Sequence, residues 1–355
     1  MDNGLMKSPN QHVLVIGMGG TIAGLAQDPK NPSAYRAGQV ALEALIVTLQ
    51  SSNRVAQGEI RTEQLANIDS RDLSEALLTQ LGLAVRAALD NPLVLGVVVT
   101  HGTDTIEEVG LFLDAVCRKQ AERLGKRVIL TGAMLPSNYP QADGPLNLQA
   151  SLYWAQMDLE TCPAGVFSIF AGRVCLARDL AKRHTNELNA PLRDAPSSPV
   201  HLINPSWLSR TRRIQVDSGP DMPIPAEDAW PWVEILTSHA GSRPETVLHW
   251  QNQAIQGLVI AGTGMGGVHV AWLKPLHALA EKGVAIAKAS RVGAGHVHLN
   301  LPETDPAGWV AAGSLTAPKA RIALQLALYA AAEAKRGGKS MTWQDFFARI
   351  AVLPD

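Results

Sequence analysis

Two glycine-rich stretches each follow an apolar run, and each places a threonine hydroxyl near the end of that run. The run "HVLVIG" leads into "GMGGT", which ends at Thr21. A second run, which ends at Thr100, leads into "THGTDT" with its Thr103 and Asp104. A threonine hydroxyl becomes a nucleophile only when a base or proton relay lies within hydrogen-bond reach, whereas glycine N–H groups alone can cradle a phosphate. Both chemistries are open at this point.

The proton relay for Thr21 must come from elsewhere in the chain, because its own loop contains no suitable side chain. The candidates are Tyr35, in "QDPKNPSAYRAGQ", and Lys182, in "ARDLAKRHTNE". A lysine that is partly removed from water can exchange protons near neutral pH. Asp104 can orient such a lysine or hold an ammonium group of a substrate.

A nucleotide-binding interpretation competes with the nucleophile interpretation. "GTGMGG", residues 262–267, matches G-x-G-x-x-G after an apolar run, and Glu281 lies about where a ribose-binding acid is expected. A single match of this kind is a weak signal, and it leaves both threonine loops without a role. The first loop also lacks the Lys-Ser/Thr pair of a P-loop.

Apolar runs and helical periods alternate along the first half of the chain, and these elements must position the two loops. The runs at 12–17, 93–100, 127–132 and 164–170 are typical of buried strands. Residues 72–89 have helical spacing, and Thr105 with Glu108 fits a capping box at the start of the next helix. This order predicts a mostly parallel sheet with helices on both faces. Ligands of such sheets bind beyond the carboxyl ends of the strands, where both threonine loops lie.

The second half predicts a separate, smaller domain. Residues 189–231 are rich in proline and serine and lack periodicity, which favours an extended connection. Strand patterns then resume, followed by a long helix from about Pro318 to Ala332. We therefore expect an α/β protein with a larger N-terminal domain at 10–204, a linker at 205–231 and a smaller α/β, flavodoxin-like domain at 232–355.

Composition excludes several classes of partner. The 31 Lys and Arg balance 32 Asp and Glu, so no net charge attracts the chain to nucleic acid. The spacing of the three cysteines does not match that of a metal site. We therefore expect them to be core thiols in a protein of a reducing compartment. No secretory signal and no apolar stretch of about 18 residues is evident, so we expect a cytoplasmic protein that does not bind membranes. His296 and His298 alternate as on a strand but lack further ligands, so no metal is expected.

The motifs "MGGTIAG", "THGTDTIEE", "ILTGAMLPSNYPQADGPLN", "RDLAKRHT" and "SRVGAG" occur in this order. In order and spacing they resemble the bacterial-type L-asparaginase family, which includes glutaminase-asparaginases. The resemblance extends from about residue 12 to "GSLTAPKARIALQLAL" near the C-terminus. It favours the nucleophile interpretation of both loops.

The resemblance also implies roles for individual residues. Thr21 matches the family's first catalytic threonine, and Tyr35 matches the tyrosine of the lid that closes over it. The second threonine and its proton relay match Thr103, Asp104 and Lys182.

Substrate-binding residues follow from the same resemblance. Asp104 also binds the α-ammonium group of the substrate in this family, and Ser70 of "NIDSRD" binds its α-carboxylate. Gly20 and Gly102 allow close backbone approach. Arg71 stands where a glutamine or glutamate often lines the pocket, so it either binds the α-carboxylate or crowds the pocket. A solvent-facing arginine at the start of a helix is the alternative.

The implied reaction is hydrolysis of L-asparagine to L-aspartate and ammonia (EC 3.5.1.1), without a cofactor and with weaker L-glutaminase activity. Thr21 is expected to attack and form an acyl-enzyme through an oxyanion that backbone N–H groups stabilise. The alternatives are a non-catalytic amino-acid sensor and a nucleotide-binding oxidoreductase. A tRNA-dependent amidotransferase subunit is disfavoured, because the first strand begins near residue 12 and leaves no room for that enzyme's additional N-terminal domain.

Further departures from the family pattern concern affinity. Met18 replaces the usual threonine of the first turn. The family implies a homotetramer in which a neighbouring subunit adds an asparagine and an acidic residue to the site. Met265 stands near the asparagine position, and Glu303 is the nearest match to the acid. We therefore expect a homo-oligomer, dimer or tetramer, with modest affinity.

Overall fold

The computed structural model describes residues 10–28, 35–51, 59–157, 159, 162–187, 201–202, 221–299 and 308–351. The chain divides into two compact units, Met1–Asp221 and Met222–Asp355. Most of the linker that the sequence predicts at 205–231 lies outside the described residues, so the predicted domain bounds stay a prediction.

The first unit is built on a seven-stranded sheet with the order β4-β1-β5-β6-β7-β8-β9. The strands of this sheet are β1 (His12–Gly19), β4 (Glu59–Ile68), β5 (Val94–Thr100), β6 (Arg127–Thr131), β7 (Gly165–Phe170), β8 (Arg173–Leu176) and β9 (His201–Leu202). Strands β2 (Leu25–Ala26) and β3 (Tyr35–Arg36) form a separate two-stranded sheet. Strands β4, β1, β5, β6 and β7 pair in parallel, whereas β8 and β9 pair antiparallel. The four buried strands predicted from apolar runs are confirmed.

Helices cover the sheet because its strands are apolar on both faces. The helices are α1 (Leu42–Ser51), α2 (Glu75–Asp90), α3 (Ile106–Leu124) and α4 (Gly144–Ala155). Val13, Val15 and Val98 share one core with α1 and α4, while α2 packs against β5 and α3 packs against β6 and β7. The helix predicted at 72–89 is α2, which begins after Ser74, whose Oγ accepts the N–H of Leu77 at 3.3 Å.

The capping box predicted at Thr105 and Glu108 is wrong. The Thr105 side chain makes no capping hydrogen bond to α3. Its hydroxyl donates instead to the carbonyl oxygen of Ser70 at 2.8 Å. A tertiary hydrogen bond across 35 residues thus replaces the local one, and it ties the start of α3 to the segment that contains Ser70.

The second unit contains a four-stranded parallel sheet. Its described elements are β10 (Val233–Thr237), α5 (Glu245–Leu248), β11 (Gly257–Gly262), α6 (Val270–Glu281), β12 (Ala285–Ser290), β13 (Val310–Thr316), α7 (Ala317–Arg336) and α8 (Trp343–Ala351). The strands lie in the order β10-β11-β12-β13, whereas flavodoxin-like sheets exchange the order of their first two strands. The α/β class with a smaller second domain is confirmed, and the long helix predicted near Pro318 is α7.

The "GTGMGG" loop does not have the geometry of a dinucleotide site. It closes on itself, because Thr263 and Gly267 exchange two backbone hydrogen bonds at 2.8 and 2.6 Å. Helix α6 begins only at Val270, after the cap residue His269. In a dinucleotide fold the glycine turn opens the helix directly, and the ribose-binding acid follows the second strand, whereas Glu281 ends α6.

Other sequence predictions concern thiols and membranes. Cys117, Cys162 and Cys175 are free and buried, as expected, and burial raises the pKa of the Cys117 thiol to about 12. Within the described part of the chain, no helix is long and apolar enough to cross a membrane.

Candidate active site

The two threonine loops meet at the carboxyl ends of β1 and β5, which are neighbouring strands. Their contact is made by glycine backbones: a Cβ at Gly20 would overlap the backbone of Gly102. A Cβ at Gly102 would in turn lie 2.6 Å from Oγ of Ser70. Gly20 also has φ 81°, which an L side chain rarely adopts. The glycines therefore let three segments pack without space for a side chain between them.

Thr21 lies in a short 3-10 helix, Thr21–Ala23, directly after β1. Only 5% of Thr21 is exposed. Its Oγ1 lies 2.7 Å from the hydroxyl oxygen of Tyr35, and either group can donate. Tyr35 belongs to β3, which pairs with β2 in a short antiparallel ribbon. The structure thus places Tyr35 as the hydrogen-bond partner that the loop of Thr21 itself does not contain.

Thr103 has a different partner. Lys182 Nζ donates to Thr103 Oγ1 at 3.0 Å and to Asp104 Oδ1 at 2.5 Å. The Lys182 side chain is 24% exposed and that of Asp104 is 54% exposed. A lysine held between a hydroxyl and a carboxylate can give a proton to the carboxylate and take one from the hydroxyl, while the exposed carboxylate also remains within reach of a ligand.

A buried ionic cluster attaches the segment that precedes Lys182 to α3. Lys182 follows the 3-10 helix Ala177–Asp179, which packs on α3. Arg178 of that helix lies 3.7 Å from Oδ2 of Asp114 on α3, and Arg118 lies 3.6 Å from the same oxygen. Burial raises the pKa of Asp114, while the two arginines act in the opposite direction.

Ser70 is buried beside the Thr103 loop. It begins the 3-10 helix Ser70–Asp72, and its Oγ accepts the backbone N–H of Asp104 at 3.2 Å. The side chain of Arg71 is 74% exposed and pairs with Asp69 at 2.7 Å. That hydrogen bond raises the pKa of the Arg71 guanidinium. The structure therefore places Ser70 inside the site and Arg71 at its solvent side, already bound to a carboxylate.

His101 lies beneath the second loop and is completely buried. Burial lowers its pKa to about 4, so the ring is neutral at pH 7. Nδ1 lies 2.7 Å from the carbonyl oxygen of Gly102. Because a carbonyl only accepts, Nδ1 carries the proton of the neutral ring. His101 therefore supports the loop as a neutral donor.

Other sequence-predicted residues lie in the second unit or in the core of the first. Met265, in the second unit, is 67% exposed, and Glu303 lies outside the described residues. The rings of His296 and His298 stack with centroids 6.1 Å apart. Among the described residues, no group of three or more His, Cys, Asp or Glu is arranged to hold a metal ion. Met18 is buried in the core next to the first loop.

Sequence reasoning did not single out Ser137 and Asn138, although both lie in a quoted motif. Their side chains contact the backbone of Gly24, just before β2, and of Ala26, on β2, the strand that pairs with β3. No local pattern marks such contacts, because each joins residues more than a hundred positions apart.

Fold and site together define a two-unit α/β protein with two threonine hydroxyls at adjoining strand ends. The family model described as "Asparaginase, N-terminal" matches residues 12–208, and "Glutaminase/Asparaginase C-terminal domain" matches residues 232–339. The chain belongs to the asparaginase family, and the resemblance drawn from its motifs is confirmed.

Known proteins agree with this assignment. The "Probable L-asparaginase periplasmic" of Haemophilus influenzae is 33% identical over 89% of this chain and 88% of its own length. The "Glutaminase-asparaginase" of Acinetobacter glutaminasificans is 31% identical over 91% of this chain and 97% of its own length. The crystal structure of a "Probable Cytoplasmic L-asparaginase" from Campylobacter jejuni, 27% identical, matches with a TM-score of 0.78 and covers 96% of this chain and 99% of its own.

Proposed function

We propose that this protein hydrolyses the side-chain amide of L-asparagine to L-aspartate and ammonia. One observation carries the proposal: two buried threonine hydroxyls lie on adjoining loops, and each has its own hydrogen-bond partner suited to proton transfer. Relatives named L-asparaginase support the same substrate. No cofactor is needed for this chemistry.

The first half-reaction uses Thr21. Its Oγ1 attacks the amide carbon and gives its proton to the hydrogen-bonded Tyr35 hydroxyl, which passes a proton on to the departing nitrogen. The carbon–nitrogen bond breaks, ammonia leaves, and an ester with Thr21 remains. Backbone N–H groups at the start of the 3-10 helix Thr21–Ala23 stabilise the oxyanion formed in this step.

The second half-reaction uses Thr103 and Lys182. Thr103 orients a water molecule toward the ester carbon and takes its proton, while the hydroxyl's own proton moves to Lys182 Nζ as Nζ gives one to Asp104 Oδ1; the proton returns by the same path. The ester oxygen of Thr21 regains a proton, and aspartate is released. Two proton relays let the site serve attack and hydrolysis without rearranging either loop.

Substrate orientation follows from the charges at the mouth of the site. The half-exposed Asp104 carboxylate binds the α-ammonium group, and the Ser70 hydroxyl binds the α-carboxylate. Arg71 must leave Asp69 to reach that carboxylate. We therefore propose that Arg71 does not anchor the substrate but influences which length of substrate side chain the site accepts and how tightly it binds. L-Glutamine is the second candidate substrate, because three relatives are named glutaminase-asparaginase.

The test is ammonia release by the purified protein with L-asparagine, L-glutamine and D-asparagine in parallel. We expect L-asparagine to be hydrolysed fastest, and Thr21→Ala and Thr103→Ala each to lower kcat by about a thousandfold or more. Thr48→Ala is the matched control, because that hydroxyl donates to the Ala44 carbonyl within α1. Binding of L-asparagine without turnover would identify a sensor, and near-normal turnover by Thr21→Ala would refute its role as nucleophile.

We further propose a cytoplasmic homo-oligomer, dimer or tetramer. The location is a proposal in its own right, since the relatives' names include both a cytoplasmic and a periplasmic protein. Light scattering during size-exclusion chromatography measures the oligomer, and fractionation of producing cells measures the location. A monomer with full activity would contradict the shared site that the family implies.

A further inference from the structure

The loop between β6 and α4 reaches across the unit to the ribbon that contains Tyr35. Asn138 Oδ1 accepts the backbone N–H of Ala26 at 2.8 Å, and Asn138 Nδ2 donates to the carbonyl oxygen of Ala26 at 2.9 Å. One amide side chain thus satisfies both backbone groups of a single strand residue. It acts on β2 as a neighbouring strand would.

The register of the ribbon connects this contact to Tyr35. Ala26 is the partner of Tyr35 across the antiparallel pair. The N–H and C=O of one strand residue point to the same side of the strand, so those of Ala26 face Asn138 and away from Tyr35. Strand β2 is therefore held between Asn138 on one edge and β3 on the other.

A second contact fixes the residue on which the Tyr35 ring rests. The backbone N–H and the hydroxyl of Ser137 both donate to the carbonyl oxygen of Gly24, at 2.9 and 2.8 Å. A Cβ at Gly24 would lie 2.9 Å from Cδ2 of the Tyr35 ring. The ring thus packs directly on a glycine that Ser137 holds in place.

The loop that contains Ser137 and Asn138 is itself anchored. The Asp143 carboxylate accepts the backbone N–H groups of Met134 at 3.0 Å and Leu135 at 3.0 Å. It also accepts from Asn147 Nδ2 at 3.2 Å, on the first turn of α4. The support for Tyr35 is therefore continuous from α4 through the loop to β2.

We propose that Asn138 is a positioning residue that holds the Tyr35 hydroxyl within hydrogen-bond distance of Thr21 Oγ1. The inference rests on the proposed function for its kinetic consequence. Ser137 assists by holding Gly24. Asn138 itself does not touch the substrate and acts only through the β2–β3 ribbon.

The test begins with Asn138→Ala. We expect kcat for L-asparagine to fall about tenfold to a hundredfold, because a small displacement of a catalytic group has effects of this size. KM should change by less than about threefold, since Asp104 and Ser70 lie on segments outside the β2–β3 ribbon. Asn91→Ala is the matched control: its Oδ1 accepts the N–H of Leu93 in a turn before β5, at the other end of that strand from Thr100. The control should keep wild-type kcat.

A double-mutant cycle with Tyr35→Phe separates positioning from general destabilisation. If Asn138 acts through the Tyr35 hydroxyl, Asn138→Ala should lower kcat less than threefold in the Tyr35→Phe background. Loss of the full tenfold or more in that background would overturn the proposal. A Tm measurement accompanies each variant, and kcat is compared well below the lowest Tm.

Amide hydrogen exchange provides a readout that needs no turnover. Asn138→Ala should speed exchange in peptides that cover residues 21–28 and 35–40, while Asn91→Ala should leave those peptides unchanged. Unchanged exchange in Asn138→Ala would overturn the proposal. If the wild type released no ammonia, the proposed function would fail, whereas the exchange result would still decide whether Asn138 supports the ribbon.

Discussion

The two halves of the candidate site are held by different forces. On the Thr21 side, the partners are neutral: the Tyr35 hydroxyl, the Asn138 amide and the Ser137 hydroxyl. On the Thr103 side, the partners are charged: Lys182 pairs with Asp104, and the segment before Lys182 is attached to α3 through buried Arg178 and Asp114.

This difference predicts how each half responds to change. A neutral hydrogen bond contributes about 1 kcal/mol net, so the Tyr35 ribbon can open at low cost and admit a substrate. Breaking a buried ion pair costs several kcal/mol, because the remaining charge stays desolvated. We therefore expect the Thr21 half to be the adjustable side of the site and the Thr103 half to be the rigid side.

The largest effect is expected from Asp114→Asn, which tests the rigid side. Asp114 is 1% exposed and lies between Arg118 and Arg178. The change removes the carboxylate that both guanidinium groups face, while Arg118 keeps Glu122 at 2.9 Å, so the free energy of unfolding should fall by about 3 kcal/mol. Urea unfolding followed by fluorescence and circular dichroism measures this loss.

Asn138→Ala provides the comparison on the adjustable side. It removes two neutral hydrogen bonds, and the same urea measurement should show a loss of about 1–3 kcal/mol. Equal losses in the two variants would contradict the division into a rigid and an adjustable half.

A pH dependence of stability, of intermediate size, also tests the Thr103 half of the site, because buried His101 belongs to that half. Its pKa of about 4 in the folded protein lies below the ordinary histidine value of 6.5. Between these values the unfolded chain binds a proton that the folded chain does not, so stability falls as pH decreases. From pH 6.5 to pH 5 the loss from this residue should be about 1.6 kcal/mol.

His101→Asn should remove that part of the pH dependence in thermal unfolding measured across the same range. His298→Asn, which changes an exposed histidine in the second unit, is the control and should leave the slope as in the wild type. An identical slope in His101→Asn would show that the His101 ring is not held neutral.

The smallest expected effect is a gain in stability at the turn before β8. Ala171 is the only described non-glycine residue with positive φ, at 47°. Glycine adopts this conformation without the Cβ strain, so Ala171→Gly should stabilise the protein by about 0.5–1 kcal/mol. Ala87→Gly, at an exposed position inside α2, should destabilise by about 1 kcal/mol. A Tm shift of the same sign in both variants would exclude backbone strain as the cause.

Much of the fold followed from local pattern. Apolar runs bounded by turn residues located β1, β5, β6 and β7, because burial on both sheet faces requires continuous apolar sequence. The helical period of apolar residues located α2 for the same local reason. The predicted capping box at Thr105 is wrong, because the Thr105 hydroxyl donates to the carbonyl oxygen of Ser70 and not to a local capping partner.

The sequence predicts some of the candidate site residues from local pattern but not others. Thr21 and Thr103 stand out because each follows a strand and a glycine turn. Tyr35 and Lys182 are identified only by the motifs around them, because a single tyrosine or lysine has no local sequence signature. The supporting Asn138 was missed, because only the register of β2 and β3 gives its amide a function.

The sequence by itself determined the α/β order, the two threonine loops and the family, because strand and helix patterns and glycine turns depend on neighbours along the chain. Only the tertiary structure decided which groups meet: Lys182 with Thr103 across 79 residues, and Asn138 with Ala26 across 112. Such contacts depend on strand register and loop closure, which short stretches of sequence do not encode. Their geometry therefore appears only once the whole unit has folded.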